Sequence, residues 1–74
     1  MDIEVRLFAT FRKGRWKKKT LTYDQKIKIK RILNDLDIKE KEIGIILLNG
    51  TYKKPDAILN DGDILSIFPP VAGG

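Results

Sequence analysis

The chain has 74 residues, of which 42% are apolar, and it contains neither cysteine nor histidine. This length allows one domain, residues 1–74. The two missing residue types exclude disulfides, thiolate nucleophiles, imidazole bases and zinc sites built from Cys or His. No apolar run approaches the ~18 residues that span a bilayer, and no signal peptide opens the chain, so a cytoplasmic location is expected.

The positive charge is concentrated near the N terminus. The formal net charge is +5, and residues 1–19 alone hold seven Lys/Arg against two Asp/Glu. The basic segment 12–19 has two interpretations, a surface for nucleic acid or an acidic partner and a solvated hairpin loop. We favour the loop and consider nucleic acid an unlikely partner, because Trp16 alone among lysines is no stacking platform for bases.

The first predicted unit is a β-hairpin. Residues 2–7 alternate polar and apolar side chains, which predicts a half-buried strand. Residues 19–23 alternate again, and Gly14 marks a turn between the two. The side chains expected to face the core are those of Ile3, Val5, Leu7, Leu21 and Tyr23.

An amphipathic helix follows the hairpin. Ile29, Ile32, Leu33 and Leu36 have the i, i+3, i+4, i+7 spacing of one helical face. No good N-cap residue precedes them, so the helix is expected to begin within a few residues of Lys28 and to end near residue 37.

Two further strands are predicted after the helix. Residues 43–48 are apolar on both faces, as in a central strand that is covered by the helix. Asn49-Gly50 is a strong turn signal, and Pro55 ends the short strand after it. A second turn at residues 60–63 leads into the last strand, residues 64–68, which Pro69-Pro70 terminates. The order β-β-α-β-β predicts an α+β fold with a small sheet packed on one helix.

The sequence offers few groups for catalysis or for binding a cofactor. It has no glycine-rich phosphate loop, so no bound cofactor is expected. Asp61-Gly62-Asp63 lacks the further ligands of a calcium loop and is interpreted as a turn, so no metal is expected either. A self-contained enzyme is therefore improbable.

The C-terminal segment 68–74, Phe-Pro-Pro-Val-Ala-Gly-Gly, is the unusual feature. Residues 69–74 are expected to form a flexible tail. Its end could be a frayed terminus without function. It could instead present the carboxylate of Gly74 to a partner, since glycines pass through a channel in which any Cβ would clash.

This ending, with Gly62-Asp63 before it, resembles the C terminus of the small subunit of molybdopterin synthase. Further similarity lies in residues 5–9 with Phe11-Arg12, in the helix, and in Leu48-Asn49-Gly50. The resemblance covers nearly the whole chain and implies a ubiquitin-like sulfur carrier of the β-grasp fold, with one helix on a mixed four- to five-stranded sheet. The thiamine sulfur carriers belong to the same superfamily.

The resemblance also implies a reaction cycle for the chain terminus. An E1-like activating enzyme uses ATP to adenylate Gly74, and a sulfur donor then converts it to a thiocarboxylate. The loaded tail enters the large subunit of molybdopterin synthase and donates sulfur to the pyranopterin precursor of the molybdenum or tungsten cofactor. In this cycle Gly74 carries the sulfur and Phe68 is the candidate docking anchor. The residues that thread or aim the tail are Pro69, Pro70, Val71, Ala72 and Gly73.

Two alternatives remain open at this point. The chain could carry sulfur for thiamine or for tRNA thiolation, since those carriers share the Gly-Gly end. It could also be a ubiquitin-like modifier whose Gly74 forms isopeptide bonds with target lysines.

Overall fold

The computed structural model describes residues 1–70. Five strands form one sheet in the spatial order β2-β1-β5-β3-β4. Strand β5 runs parallel to β1 and antiparallel to β3, so the sheet is mixed. The strands are β1 (Asp2–Leu7), β2 (Lys18–Thr22), β3 (Ile45–Leu48), β4 (Thr51–Tyr52) and β5 (Ile64–Phe68).

One α-helix, α1 (Ile29–Asp35), packs its apolar side on one face of the sheet. Its N-cap residue, Lys28, makes no side-chain capping bond, as the sequence suggested. Two short 3₁₀ helices complete the described structure, Ala9–Arg12 after β1 and Glu40–Glu42 before β3. No helix within residues 1–70 is long and apolar enough to cross a membrane.

The core lies between α1 and the inner face of the sheet. The side chains predicted to face inward from β1 are fully buried, and Leu21 and Tyr23 pack half-buried against them. The connecting segments and the first 3₁₀ helix supply four more buried side chains that no periodic pattern had indicated. These are Phe11, Ile27, Ile38 and Leu59.

Strand β3 is an interior strand, as expected, and it begins at Ile45 rather than at residue 43. It lies between β5 and the edge strand β4, and the centre of the sheet is β5. Ile46 and Leu48 are buried, whereas Ile45 is 38% exposed. The prediction of an interior strand covered by the helix is therefore confirmed, and the helix covers only one of its faces, because a single helix packs on one side of the sheet.

Two turns at the same end of the sheet are joined by side-chain hydrogen bonds. Asn49 and Gly50 both have positive φ, at 52° and 84°, in the two-residue connection between β3 and β4. The Asp63 carboxylate accepts hydrogen bonds from the Asn49 side-chain amide at 3.0 Å and from the Asn60 backbone N–H at 2.7 Å. The Asn49 carbonyl oxygen accepts from the Ile64 N–H at 2.8 Å. The carboxylate of Asp63 therefore stabilises the turn, in agreement with the turn interpretation of residues 61–63.

Candidate functional site: the C-terminal exit and the outer face of the sheet

The tail leaves the sheet from its central strand. Strand β5 has neighbours on both sides, and Phe68 is its last residue. Pro69 and Pro70 follow immediately and lie beside Gly44, the residue before β3. Since the core buries β5, the start of the tail has a fixed origin on the domain.

Phe68 lies on the sheet face opposite the helix. Leu65 and Ile67 on the same strand are fully buried in the core, so Phe68 points to the outer face with Ile64 and Ser66, because side chains alternate between the two faces of a sheet along a strand. Its ring stacks on that of Phe8, with centroids 4.1 Å apart and planes 11° from parallel. Phe68 is thus half-buried by another surface aromatic residue rather than by the core.

Strand register places more apolar side chains beside this stacked pair. Ile45 is the direct partner of Phe68 across β3 and β5, and Leu47 is the partner of Tyr52 across β3 and β4. Directly opposed residues of an antiparallel pair share one face of the sheet. We call this surface the outer apolar patch; it comprises Phe8, Ile45, Leu47, Tyr52 and Phe68.

The outer apolar patch is partly open to solvent. Tyr52 is 73% exposed and Ile45 is 38% exposed. The Arg12 guanidinium lies 5.1 Å from the centroid of the Phe8 ring, and its Nε donates a hydrogen bond to the Leu7 carbonyl at 2.6 Å. A contiguous exposed apolar surface with a cationic margin is typical of a protein-binding site. The docking role of Phe68 stays a prediction that this geometry supports.

The basic segment 12–19 contains residues with structural roles. Arg15 donates hydrogen bonds to the Leu36 carbonyl, at 2.9 Å from its terminal nitrogen, and so satisfies a free carbonyl at the C-terminal end of α1. Trp16 packs against the core. Lys17, Lys18 and Lys19 are exposed and remain available for long-range attraction. The segment is therefore partly a structural connection and partly a charged surface.

Tyr23 is the described residue whose pKa is clearly displaced. Burial, and then the hydrogen bond from its hydroxyl to the Asp35 carboxylate at 2.8 Å, raise the pKa of Tyr23 to about 12. Both effects favour the protonated phenol, the first because burial disfavours a charged phenolate and the second because the phenol is the hydrogen-bond donor. Tyr23 lies next to the helix, away from the tail exit, so this interaction is structural.

A groove of about 630 Å³ runs along α1 and the segment after it. It is lined by charged and apolar side chains of residues 27–40 and includes none of the predicted site residues. Within residues 1–70, no group of three or more acidic side chains is placed to hold a metal ion.

Only some of the predicted site residues lie within residues 1–70, which the structure describes. Phe68, Pro69 and Pro70 lie together at the exit from β5. The remaining tail positions, Val71, Ala72, Gly73 and Gly74, which was predicted to carry the sulfur, lie outside the described residues, as does most of the predicted flexible tail 69–74. Gly44 was missed by the sequence analysis, and no local signal in the sequence identifies it.

Comparisons with known proteins agree with this architecture. The model of the ThiS family matches residues 5–74, which is nearly the whole chain and includes its C-terminal Gly-Gly. This chain belongs to the ThiS family. The resemblance seen in the sequence, to ubiquitin-like sulfur carriers, is thereby confirmed. No curated protein matches the sequence.

Solved structures share the fold over the full chain. The HVO 2177 protein of Haloferax volcanii is 32% identical, with a TM-score of 0.79, and the match covers 100% of this chain and 87% of that one. A chain of the complex of subunits 1 and 2 of the molybdopterin-converting factor from Helicobacter pylori 26695 is 27% identical, with a TM-score of 0.68 and full coverage of both chains. SAMP1 of Haloferax volcanii, at 23% identity, has a TM-score of 0.77 with full coverage of both chains. The predicted β-grasp fold is confirmed.

Proposed function

We propose that this ThiS-family carrier donates sulfur to the pyranopterin precursor in molybdopterin biosynthesis, through a thiocarboxylate on Gly74. The observation that carries the proposal is the family match, which extends to the final glycine. The similarity to the Helicobacter pylori complex of subunits 1 and 2 favours the molybdopterin product over other sulfur acceptors. We expect the cycle to take place in the cytoplasm.

The chemistry divides between this chain and its partners. A Gly74 carboxylate oxygen attacks the α-phosphate of ATP on an activating enzyme, forming the acyl adenylate and releasing pyrophosphate. A donor that supplies sulfur at the oxidation level of sulfide then attacks the acyl carbon and displaces AMP, which leaves the thiocarboxylate. The chain supplies the reacting terminus, and the partners supply the nucleotide site, the proton transfers and the pocket for the pterin.

The geometry of the exit suits this division. The outer apolar patch adjoins the point where the tail leaves β5, since Phe68 belongs to both. A partner that covers the patch therefore receives the start of the tail at its own surface. Four residues beyond Pro70 span at most about 13–14 Å, so the partner's reacting centre must lie within that distance of the patch margin.

A second candidate is protein modification through the same activated terminus. It is favoured by the fold shared with a Haloferax volcanii protein named small archaeal modifier protein 1. Both functions need the adenylate and differ only in the acceptor that follows. Carriage of sulfur for thiamine or for tRNA is a third outcome with the same first step.

The deciding experiment begins with the intact mass of the protein purified from its own cells. Replacement of one terminal oxygen by sulfur supports the carrier function, and covalent conjugates to cellular proteins support the modifier. Assignment to molybdopterin requires that the purified thiocarboxylate, mixed with the co-purifying large subunit and the pyranopterin precursor, yields the dithiolene. Absence of product in that mixture would exclude this pathway.

Deletion of Gly74 tests the role of the terminus itself. One residue moves the terminal carbonyl by roughly 3.3–3.6 Å, whereas reaction requires its approach to about 3–3.5 Å from the attacking atom. We therefore expect the deletion, or one added residue, to abolish adenylation while the thermal melt stays unchanged. Gly73→Val should also impair it, because a β-branched side chain restricts the backbone.

Gly14→Asn is the matched control for these tail variants. Gly14 has a φ of +71° with open space around its Cβ position, and Asn tolerates this conformation. The control should react normally. A near-normal rate in the deleted form would overturn the terminal mechanism.

A further inference from the structure

Gly44 makes an unusually close backbone contact with the start of the tail. A Cβ built on Gly44 would lie 2.7 Å from the Pro69 carbonyl oxygen and 2.8 Å from both N and Cα of Pro70. All three of these nearest atoms belong to the backbone of the tail. The Gly44 N–H also donates a hydrogen bond to the Phe68 carbonyl at 2.8 Å. The segment before β3 and the segment after β5 are therefore packed without room for a side chain.

The need for glycine here comes from space rather than from backbone conformation. Gly14, Gly50 and Gly62 have positive φ and open surroundings, whereas Gly44 does not have a positive φ. A side chain at Gly44 would fit the local backbone, and its three nearest contacts would all be with the tail. A substitution at Gly44 should therefore displace the tail without destabilising the core.

We propose that Gly44 is a positioning residue that fixes the direction in which the tail leaves the domain. Proline fixes φ at two successive positions, so only rotation about ψ is left within Pro69 and Pro70 to absorb a displacement. Relief of the clash needs movement from 2.7–2.8 Å to the 3.4 Å of ordinary contact, a displacement of about 0.6–0.7 Å. This inference rests on the proposed function, since it concerns delivery of Gly74 to the activating enzyme.

We expect Gly44→Ala to lower kcat of the activating enzyme more than it raises KM for the carrier. Gly44→Ala alters no side chain of the outer apolar patch, so KM for the carrier should change much less than kcat. Misplacement by about 1 Å near a reacting centre costs on the order of 10²-fold in rate, so the smaller displacement should lower kcat at least tenfold. Gly44→Val should lower kcat further.

The test measures ATP–pyrophosphate exchange by the activating enzyme with wild type, Gly44→Ala and Gly50→Asn. Gly50 lies at the other end of β3 with a φ of +84° and open surroundings, so its variant controls for substitution near this strand. A nuclear Overhauser cross-peak between the α-protons of Gly44 and Pro70 reports the contact directly, and it should weaken in Gly44→Ala. Thermal melts should show that all three proteins fold.

Each outcome has a distinct meaning. Wild-type kcat in Gly44→Ala, or no cross-peak in the wild type, would overturn the positioning role while leaving the proposed function standing. Failure of the wild type to support exchange would instead refute the proposed function, and the positioning role with it.

Pro70→Gly provides an independent route to the same question, since it frees the tail without placing an atom near the core. It should lower kcat as Gly44→Ala does, and the double variant should be no worse than the more impaired single variant, because both remove one constraint. If the losses of kcat in the two single variants add in the double variant, the two residues do not act through one constraint.

Discussion

Truncation of Phe68 to alanine separates its docking role from its contribution to stability. The substitution removes a stacked aromatic pair, worth about 0.5–1.5 kcal/mol, and part of the burial energy of a phenylalanine. Because the ring is only half-buried, we estimate a total loss of about 2 kcal/mol. A domain of this size typically has a free energy of unfolding of about 4–11 kcal/mol, so the variant should remain folded. Its Tm should fall by roughly 8–16 °C.

Phe68→Ala should also weaken binding to the activating enzyme, by more than its loss of stability explains. An aromatic side chain at the centre of an interface commonly contributes at least about 2 kcal/mol, which corresponds to roughly a 30-fold increase in Kd. The assay is calorimetric titration of the variant into the activating enzyme, at a temperature at which circular dichroism shows the variant fully folded.

Ile67→Val is the matched control on the same strand. Ile67 is fully buried on the core side, and loss of one methylene there costs about 0.5–1.5 kcal/mol. It should lower the Tm while leaving Kd unchanged. An equal effect of the two substitutions on Kd, or an unchanged Kd in Phe68→Ala, would refute the docking role of the outer apolar patch.

Two further predictions concern charge and protonation. Neutralising Lys17, Lys18 and Lys19 together should lower the association rate with the activating enzyme at low salt, since exposed charges act through long-range attraction. Stopped-flow measurements should show that this difference between variant and wild type disappears at high salt. The turnover rate at saturating carrier should be the same for both proteins. Tyr23 has a higher pKa folded than unfolded, so its protonated phenol stabilises the fold fully below about pH 10, and that contribution should be lost as pH rises toward 12. Alkaline melts should therefore show a steeper loss of stability for wild type than for Tyr23→Phe, and parallel curves would contradict this assignment.

Local periodicity was sufficient to locate the regular elements. Strands β1 and β5 were predicted with the bounds observed, and the helix was placed within two residues at its end, because alternating and 3.6-residue patterns report directly which side chains are buried. The Asn49-Gly50 turn was also predicted from local sequence, because both of its residues tolerate the positive φ that the turn requires.

Features that depend on contacts between distant residues could not be predicted in this way. Phe11 is buried from a short 3₁₀ helix and belongs to no periodic run. Arg15 caps a helix that ends 20 residues later in the chain. Gly44 is required by the backbone of Pro69 and Pro70, which the fold alone brings beside it. The contact of Gly44 with Pro69 and Pro70 was therefore visible only in the structure.

The parallel pairing of β1 with β5 has a consequence for how the protein is made. The first and last strands are neighbours at the middle of the sheet, so a nascent chain cannot complete its core before Ile67 has left the ribosome. A product that stops earlier would expose the edges of both β1 and β3, and such unpaired edges promote aggregation and removal. Folding and synthesis of the tail are therefore coupled, because a chain that has folded has almost completed the segment that we propose to carry the reacting group.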